Sequence, residues 1–262
     1  PSQHWQEALR IMADCMCNCT FKEQMLNSEM KAVIQELKMY KDHYTRSLVD
    51  EIIGVIFQEH PYHHPIIGYK QDLWSVHSDA LKAFYKKHYI PNNATLVVVG
   101  DVNPEDVVAC AKENFGSIPA DPSYKKERHY YNRDLSSKSV TLYRDVQQPT
   151  VLLTFVVPGI ESGKENILEF LSRILGQGKS SRLYKKLVNE SHLATNVFTS
   201  PDSLFEYGLL FIGVEPKSEK DIPEIEKQIL EEIENIAAHG VTDVELERAI
   251  KQTEMSLYSL ME

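Results

Sequence analysis

Two glutamates, Glu29 and Glu36, lie seven residues apart within the segment Glu23–Asp42. At about 100° per residue, a helix over this segment gathers its apolar and aromatic side chains on one side, with both glutamates at the centre of that side. These neighbours are Met25, Ala32, Val33, Leu37 and Tyr40. The spacing places the two carboxylates about 10 Å apart along the helix axis.

A carboxylate that faces a protein core needs a metal, a cation or hydrogen-bond donors to offset its lost hydration. One interpretation of the glutamate pair is therefore a metal ligand with a supporting carboxylate. The other is a structural ion pair with an arginine or lysine elsewhere in the chain. The residues alone leave both interpretations open.

Three of the four cysteines form the pattern Cys15-Met16-Cys17-Asn18-Cys19, which could indicate a metal site. The segment up to Thr20 has a helical pattern, and a helix would turn Cys17 away from the face that Cys15 and Cys19 share. We therefore expect these cysteines to be small buried hydrophobic residues on a packed helix.

Two loops carry residues that could bind ligands. The loop from His60 to His64 holds three histidines stiffened by prolines, and we expect it to pack over the glutamate helix, with weak metal binding as the alternative. The segment from Gly176 to Ser181 resembles a phosphate loop, but Arg173 stands where that motif needs its first glycine. A glycine that ends a helix, followed by a serine cap, explains this segment better.

Other catalytic arrangements are absent from the sequence. No Ser–His–Asp or Cys–His arrangement can be assembled with any specificity. The chain also contains neither His-Glu-x-x-His nor its inverse, His-x-x-Glu-His, so it holds no complete motif for zinc catalysis.

The elements that must position these residues suggest an α+β fold with two related units. Helices are predicted over residues 4–19, 23–42 and 45–58, and Ser78 is expected to cap a further helix. A buried strand is predicted over residues 94–100, followed by a helix that Asn103 caps and Pro104 begins. We expect each unit to be an antiparallel or mixed sheet with helices on one face, and the first unit to be incomplete at its N-terminus.

The second half of the chain repeats the order strand, polar turn, helix. Residues 117–138, rich in proline, serine and charge, are predicted to be a linker between residues 1–116 and residues 139–262. Strands are predicted over residues 139–144, 150–157, 194–200 and 207–214. Helices are predicted over residues 164–175, 180–189 and 222–239, and from residue 243 onward.

Composition restricts the kind of partner. The chain has 262 residues, 42% hydrophobic and 25% charged, which is typical of a soluble globular protein. A net charge of −10 argues against nucleic-acid binding, and the apolar runs are too short to span a membrane.

Five sequence blocks occur in the order and spacing of a known family, so that the whole chain resembles the pitrilysin/insulinase-type (M16-like) zinc metallopeptidases, which include the mitochondrial processing peptidases. The blocks are the Glu29–Glu36 pair followed by Leu37, HPYHHPIIGY (60–69), FYKKHYIPNNATLVVVGDV (84–102), ILGQGKSSRLYKKL (174–187) and GVTDVELERA (240–249).

The resemblance implies a zinc site to which this chain contributes one ligand. In that family two histidines and a glutamate general base come from His-x-x-Glu-His, and a later glutamate is the third ligand. The corresponding residues are Glu36, as the metal ligand, and Glu29, as a supporting carboxylate. The chain is then similar to a fragment of one half-molecule, inactive by itself, with the histidine motif upstream of it.

The resemblance also implies partners and a substrate class. The parent enzyme would be a zinc metalloendopeptidase that hydrolyses peptides or unfolded polypeptides enclosed between two halves, so a second half-molecule or partner subunit is expected. An arginine and a tyrosine that contact substrate in many members correspond here to Val188 and Thr195, as in a zinc-bearing half. We also expect self-association into a homo-oligomer. Cytoplasm and periplasm both stay open as locations.

A different class of function stays open beside the peptidase. Some relatives of the processing peptidases are non-catalytic subunits that serve structural or substrate-binding roles. Whether the histidine motif exists upstream would discriminate between the two, and the chain does not contain that segment.

Overall fold

The computed structural model describes residues 2–126 and 136–261, which form two units, Pro1–Thr141 and Leu142–Glu262. Residues 127–135 of the predicted linker lie outside the described residues. The division of the chain at residues 117–138 therefore stays a prediction.

The described part of the first unit is helical. Its α-helices are α1 (Trp5–Cys17), α2 (Glu23–Asp42), α3 (Tyr44–Ile56), α4 (Lys70–Ser75), α5 (Ser78–His88) and α6 (Pro104–Phe115). Short 3₁₀ turns lie at Ser2–His4, Pro61–His63 and Pro91–Asn93. Its buried apolar side chains are Leu9, Ala13, Leu26, Ile34, Leu37, Phe57 and Ile90.

The helix starts illustrate what local sequence determines. Asn103 caps α6 as predicted, because its side-chain oxygen accepts from the backbone N–H of Glu105 at 2.8 Å, and Pro104 follows it. The prediction that Ser78 caps α5 is wrong: His77 is the N-cap residue. The hydroxyl of Ser78 instead donates a 2.6 Å hydrogen bond to the carbonyl oxygen of Phe21, a tertiary contact.

The three clustered cysteines are exposed, so the prediction that they are buried is wrong. Helix α1 buries Leu9 and Ala13 and ends at Cys17, two residues earlier than its helical pattern suggested. Cys19 lies beyond the helix end, where its thiol donates to the carbonyl oxygen of Cys15 at 3.3 Å. The cysteines therefore belong to a solvent-facing helix terminus.

The strand predicted over residues 94–100 does not form. Val97 and Val99 are 74% and 92% exposed, and no described segment pairs with this apolar run. A strand needs a neighbour that satisfies its backbone N–H and C=O groups. The prediction was based on apolar side chains alone, which cannot supply those bonds.

The second unit contains a three-stranded antiparallel sheet in the order β1 (Val151–Pro158), β3 (Tyr207–Pro216), β2 (Ala194–Ser203). Strand β1 pairs with β3 from Val151 opposite Val214 to Pro158 opposite Tyr207. The central strand is almost wholly buried, which explains its continuous apolar run. These three strands were predicted, whereas the strand predicted over residues 139–144 is absent.

The helices of the second unit are α7 (Glu165–Gly176), α8 (Arg182–Tyr184), α9 (Ile222–His239) and α10 (Asp243–Met261). A π-helical turn, Lys185–Glu190, continues α8. The core lies between the sheet and these helices and consists of Leu175, Leu183, Leu187, Ala194, Val197, Ile212, Val214, Ile225 and Ile229. The α+β class is thereby confirmed.

No helix within the described ranges combines the length and the apolar character needed to cross a bilayer.

Candidate functional site

Helix α2 carries the two glutamates on a solvent-facing side. Both are exposed, whereas Leu26, Ile34 and Leu37 are buried. The expected burial of Glu29 and Glu36 is therefore wrong. At 100° per residue the buried side lies roughly a quarter of a turn from the glutamates.

The residues around the glutamates explain this error. Met25 and Ala32, two of the apolar residues expected to share the core side with the glutamates, are exposed, and so is the neighbouring Met39. Apolar residues thus cover more of this helix than its core contact requires. We call the exposed surface made by Met25, Glu29, Ala32, Glu36 and Met39 the glutamate face.

Glu36 is held by a neighbour one turn along the helix. The hydroxyl of Tyr40 donates a 2.5 Å hydrogen bond to Oε1 of Glu36, and this bond is the main reason that the pKa of Tyr40 is raised. The guanidinium carbon of Arg46 lies 3.9 Å from the centroid of the Tyr40 ring. Oε2 of Glu36 has no hydrogen bond or ion pair with any described residue.

Glu29 makes no hydrogen bond or ion pair with another residue in the described ranges. The structural ion pair that the sequence left open is therefore not formed within those ranges by either glutamate. The carboxylate of Glu29 and Oε2 of Glu36 thus have no partner among the described residues.

The side chain of Glu36 could supply one zinc ligand, which is fewer than a catalytic site needs. A zinc ion accepts carboxylate oxygens, and a catalytic zinc site takes three protein ligands. In Glu36, Oε1 accepts the hydrogen bond from Tyr40, and Oε2 has no partner among the described residues. Among residues 2–126 and 136–261, no group of three or more histidine, cysteine, aspartate or glutamate side chains could hold a metal ion.

Two histidines of the loop from His60 to His64 make structural hydrogen bonds to backbone groups. His60 is 8% exposed and its Nδ1 accepts from the backbone N–H of Tyr62 at 3.1 Å. Nδ1 of His63 bonds to the carbonyl oxygen of Gly54 at 3.2 Å, so the loop packs on α3. The sequence predicts that this loop packs on the glutamate helix α2. The loop packs instead on α3, the next helix along the chain.

The segment from Gly176 to Ser181 ends helix α7 at Gly176, as the glycine predicted. Gly178 has a φ of +80°, and the hydroxyl of Ser181 donates to its carbonyl oxygen at 2.7 Å. Ser181 precedes α8 but its side chain does not cap that helix. The segment is a turn between two helices.

Two arrangements were not found from the sequence. The contact of Tyr40 with Glu36 could have been noticed, because residues four apart on a helix are neighbours. The contact of Arg182 with Glu232 and Glu245 joins residues 50 and 63 positions apart, and no local pattern indicates it.

Comparison with solved structures shows the same fold in two bacterial proteins. A protease from Helicobacter pylori matches with a TM-score of 0.84 at 24% identity, covering 98% of this chain and 63% of that chain. The peptidase M16 inactive domain from Pseudomonas fluorescens matches with a TM-score of 0.77 at 19% identity, covering 94% of this chain and 60% of that chain.

Curated relatives include proteins named as zinc proteases. The chain is 26% identical to the uncharacterized zinc protease YmxG of Bacillus subtilis, over 99% of this chain and 62% of the relative. It is 28% identical to the zinc protease PqqE of Helicobacter pylori, over 92% of this chain and 55% of the relative. The chain thus spans little more than half the length of these relatives.

The family model described as Peptidase M16 inactive domain matches residues 75–253, which is more than half of the chain. The chain therefore belongs to the M16 peptidase family.

Proposed function

We propose that this chain is part of a zinc metalloendopeptidase that hydrolyses peptides or unfolded polypeptides, and that Glu36 supplies one of its zinc ligands. The observation that carries the proposal is the exposed side chain of Glu36 on α2, with one carboxylate oxygen bonded to Tyr40 and the other without a partner among the described residues. The relatives named as zinc proteases support the metal and the class of reaction.

The remaining ligands would come from outside this chain. The family resemblance assigns two histidines and the general base to a His-x-x-Glu-His segment upstream. When bound, zinc would polarise the scissile carbonyl and lower the pKa of a bound water. The part played by this chain is to present Oε2 of Glu36 from a rigid helix.

Glu29 is proposed as the supporting carboxylate of the same site. It lies two turns before Glu36 on the glutamate face, about 10 Å away along the axis. At that distance it would act on groups around the metal and not as a ligand beside Glu36. Its lack of a partner among the described residues is compatible with this role.

The chain alone is expected to bind zinc weakly and to cleave nothing, because one carboxylate does not make a catalytic site. Elemental analysis of the purified 262-residue chain checks this prediction. One zinc per chain together with chelator-sensitive peptide cleavage would overturn it.

The parent protein tests the proposal itself. With the upstream segment present, we expect one zinc per chain and peptide cleavage that a chelator abolishes, and we expect Glu36→Gln to lose both. Glu51→Gln removes an exposed glutamate from α3 and should change neither. An intact parent half without zinc would favour the non-catalytic subunit.

A further inference from the structure

We propose that Tyr40 is a positioning residue for Glu36 and that Arg46 in turn holds the Tyr40 ring in place; this inference rests on the proposed role of Glu36 as a zinc ligand. The three side chains form a chain of contacts that begins at the carboxylate and crosses from α2 to α3.

The first contact fixes the carboxylate. Glu36 is exposed, so its side chain would otherwise sample several rotamers, and ordering it on metal binding would cost free energy. The 2.5 Å hydrogen bond from Tyr40 selects one of them in advance. It also occupies Oε1, which leaves Oε2 as the oxygen for a metal.

The second contact fixes the tyrosine. The guanidinium of Arg46 lies over the Tyr40 ring at 3.9 Å, a distance at which a cation is attracted to the ring face. Arg46 is itself placed by the start of α3, because its backbone N–H donates to Nδ1 of the capping His43 at 3.4 Å. Only His43 separates α2 from α3, so the angle between these two helices sets the position of Arg46 relative to Tyr40 and, through Tyr40, the orientation of the Glu36 carboxylate.

A merely structural tyrosine would behave differently. A pair of side chains four apart on a helix surface stabilises the helix by about 0.2–0.5 kcal/mol, and this contribution would be unrelated to metal binding. Residues that orient a metal ligand typically change metal affinity by 10- to 100-fold when they are replaced. Zinc affinity therefore separates the two roles.

The experiment measures the zinc dissociation constant of the parent protein by competition with a chelator, and the visible spectrum of its cobalt-substituted form. We expect Tyr40→Phe to weaken zinc binding about 10- to 100-fold and to alter the cobalt spectrum. Arg46→Gln should weaken it less, because Tyr40 keeps its hydroxyl. Tyr44→Phe, at an exposed tyrosine of α3, is the matched control and should leave both unchanged.

A second substitution at Tyr40 that keeps a hydrogen-bond donor separates the loss of the hydrogen bond from a general loss of stability. Gln228 donates to Glu224 at 3.0 Å four residues away on α9, which shows that a glutamine can reach a glutamate at this spacing. Tyr40→Gln should therefore recover part of the zinc affinity that Tyr40→Phe loses. Recovery would show that the donated hydrogen bond matters and not the ring.

The outcomes separate the two proposals. If Tyr40→Phe binds zinc as tightly as the wild type while Glu36→Gln loses it, the positioning role is refuted and the ligand role stands. If Glu36→Gln also retains zinc, the proposed function itself fails. Equal losses in Tyr40→Phe and Tyr40→Gln would likewise refute the hydrogen-bond mechanism.

Discussion

Arg182 joins three helices of the second unit through a single guanidinium. It donates to both carboxylate oxygens of Glu245 at 2.7 Å and to Oε1 of Glu232 at 3.0 Å. Glu245 also accepts from the backbone N–H of Thr242 at 2.9 Å, which closes a capping box at the start of α10. One carboxylate therefore both caps a helix and pairs with the arginine.

This pairing predicts a pH-dependent stability. The hydrogen bond from Arg182 is the main cause that lowers the pKa of Glu245 to about 2. A carboxyl group whose pKa falls on folding stabilises the folded protein at pH values above its ordinary pKa near 4.5. That stabilisation is lost as the pH falls toward 2. We expect Arg182→Gln to lower the free energy of unfolding by about 2 kcal/mol at pH 7, because it removes hydrogen bonds between charged groups that are mostly shielded from water.

Urea denaturation at pH 7 and at pH 3 checks this prediction. The difference between wild type and Arg182→Gln should shrink at pH 3, where Glu245 begins to take up a proton. Arg10→Gln breaks the exposed pair between Arg10 and Glu7 and should have no measurable effect at either pH. A loss in Arg182→Gln that is equal at both pH values would contradict the assignment.

At the residue scale, the spacing of the two glutamates was predictable, but the side of α2 that packs on the core was not. The seven-residue separation of Glu29 and Glu36 follows from the sequence, and so does their common side of α2. Which side meets the core depends on where other helices lie, and the exposed Met25 and Ala32 made the wrong side seem apolar. The contact of Arg182 with α9 and α10 depends on tertiary placement in the same way.

Among the elements, helix α7 and strand β2 meet at a close contact. Ser172 and Thr199 are buried, and their hydroxyls share a 3.1 Å hydrogen bond. A Cβ added to Gly176 would lie 2.3 Å from Cγ2 of Thr199. Gly176 therefore lets the end of the helix approach the sheet, and it also stops the helix.

This contact predicts that Gly176→Ala destabilises the second unit. We expect a loss of about 1–3 kcal/mol in the free energy of unfolding, because the added methyl overpacks the interface. Thr199→Ser removes the clashing methyl but keeps the hydroxyl, so the double variant should be more stable than the sum of the two single changes predicts. Chemical denaturation of the four proteins measures this coupling.

Gly54→Ala provides the control. Gly54 lies inside α3, where an added Cβ would meet the His63 ring at 3.8 Å, an ordinary van der Waals distance. Alanine favours a helix interior over glycine by up to about 1 kcal/mol, so this change should be neutral or stabilising. An equal loss in both variants would show that the clash at Thr199 is not the cause.

Element boundaries were predicted best where the local pattern is strong. Helices α2 and α9 have the bounds that their periodicity predicts, and β1, β2 and β3 lie within three residues of theirs. The strands predicted over residues 94–100 and 139–144 are absent because pairing is decided by other segments, which an apolar run cannot reveal.

For the whole molecule, the two units bury their apolar residues differently. The second unit has a continuous core between its sheet and its helices. In the first unit, Met25, Met39, Val97 and Val99 are each more than 65% exposed. The five ordered sequence blocks predicted the family, because the order and spacing of motifs can be read along the chain without knowing which residues are in contact.

The exposed run around Val97 predicts self-association of this chain. A backbone that no described segment pairs with, together with exposed valines, is a template for pairing with another copy. We expect sedimentation velocity at rising concentration to show species larger than a monomer. Replacing Val97 and Val99 by lysine should shift the distribution toward the monomer.

Val108→Lys, at an exposed valine of α6, controls for added charge and should leave the larger species in place. A wild-type chain that stays monomeric at high concentration would contradict the prediction.

The order of the sheet has a consequence for synthesis on the ribosome. Strand β3 lies between β1 and β2 but is made last, so neither neighbour has a partner strand among the described residues until Tyr207–Pro216 emerges. At about 5–20 residues per second, β1 waits roughly 3–12 s. During that interval its run Val151-Leu152-Leu153-Thr154-Phe155-Val156-Val157 is an unpaired hydrophobic segment of the kind that chaperones bind.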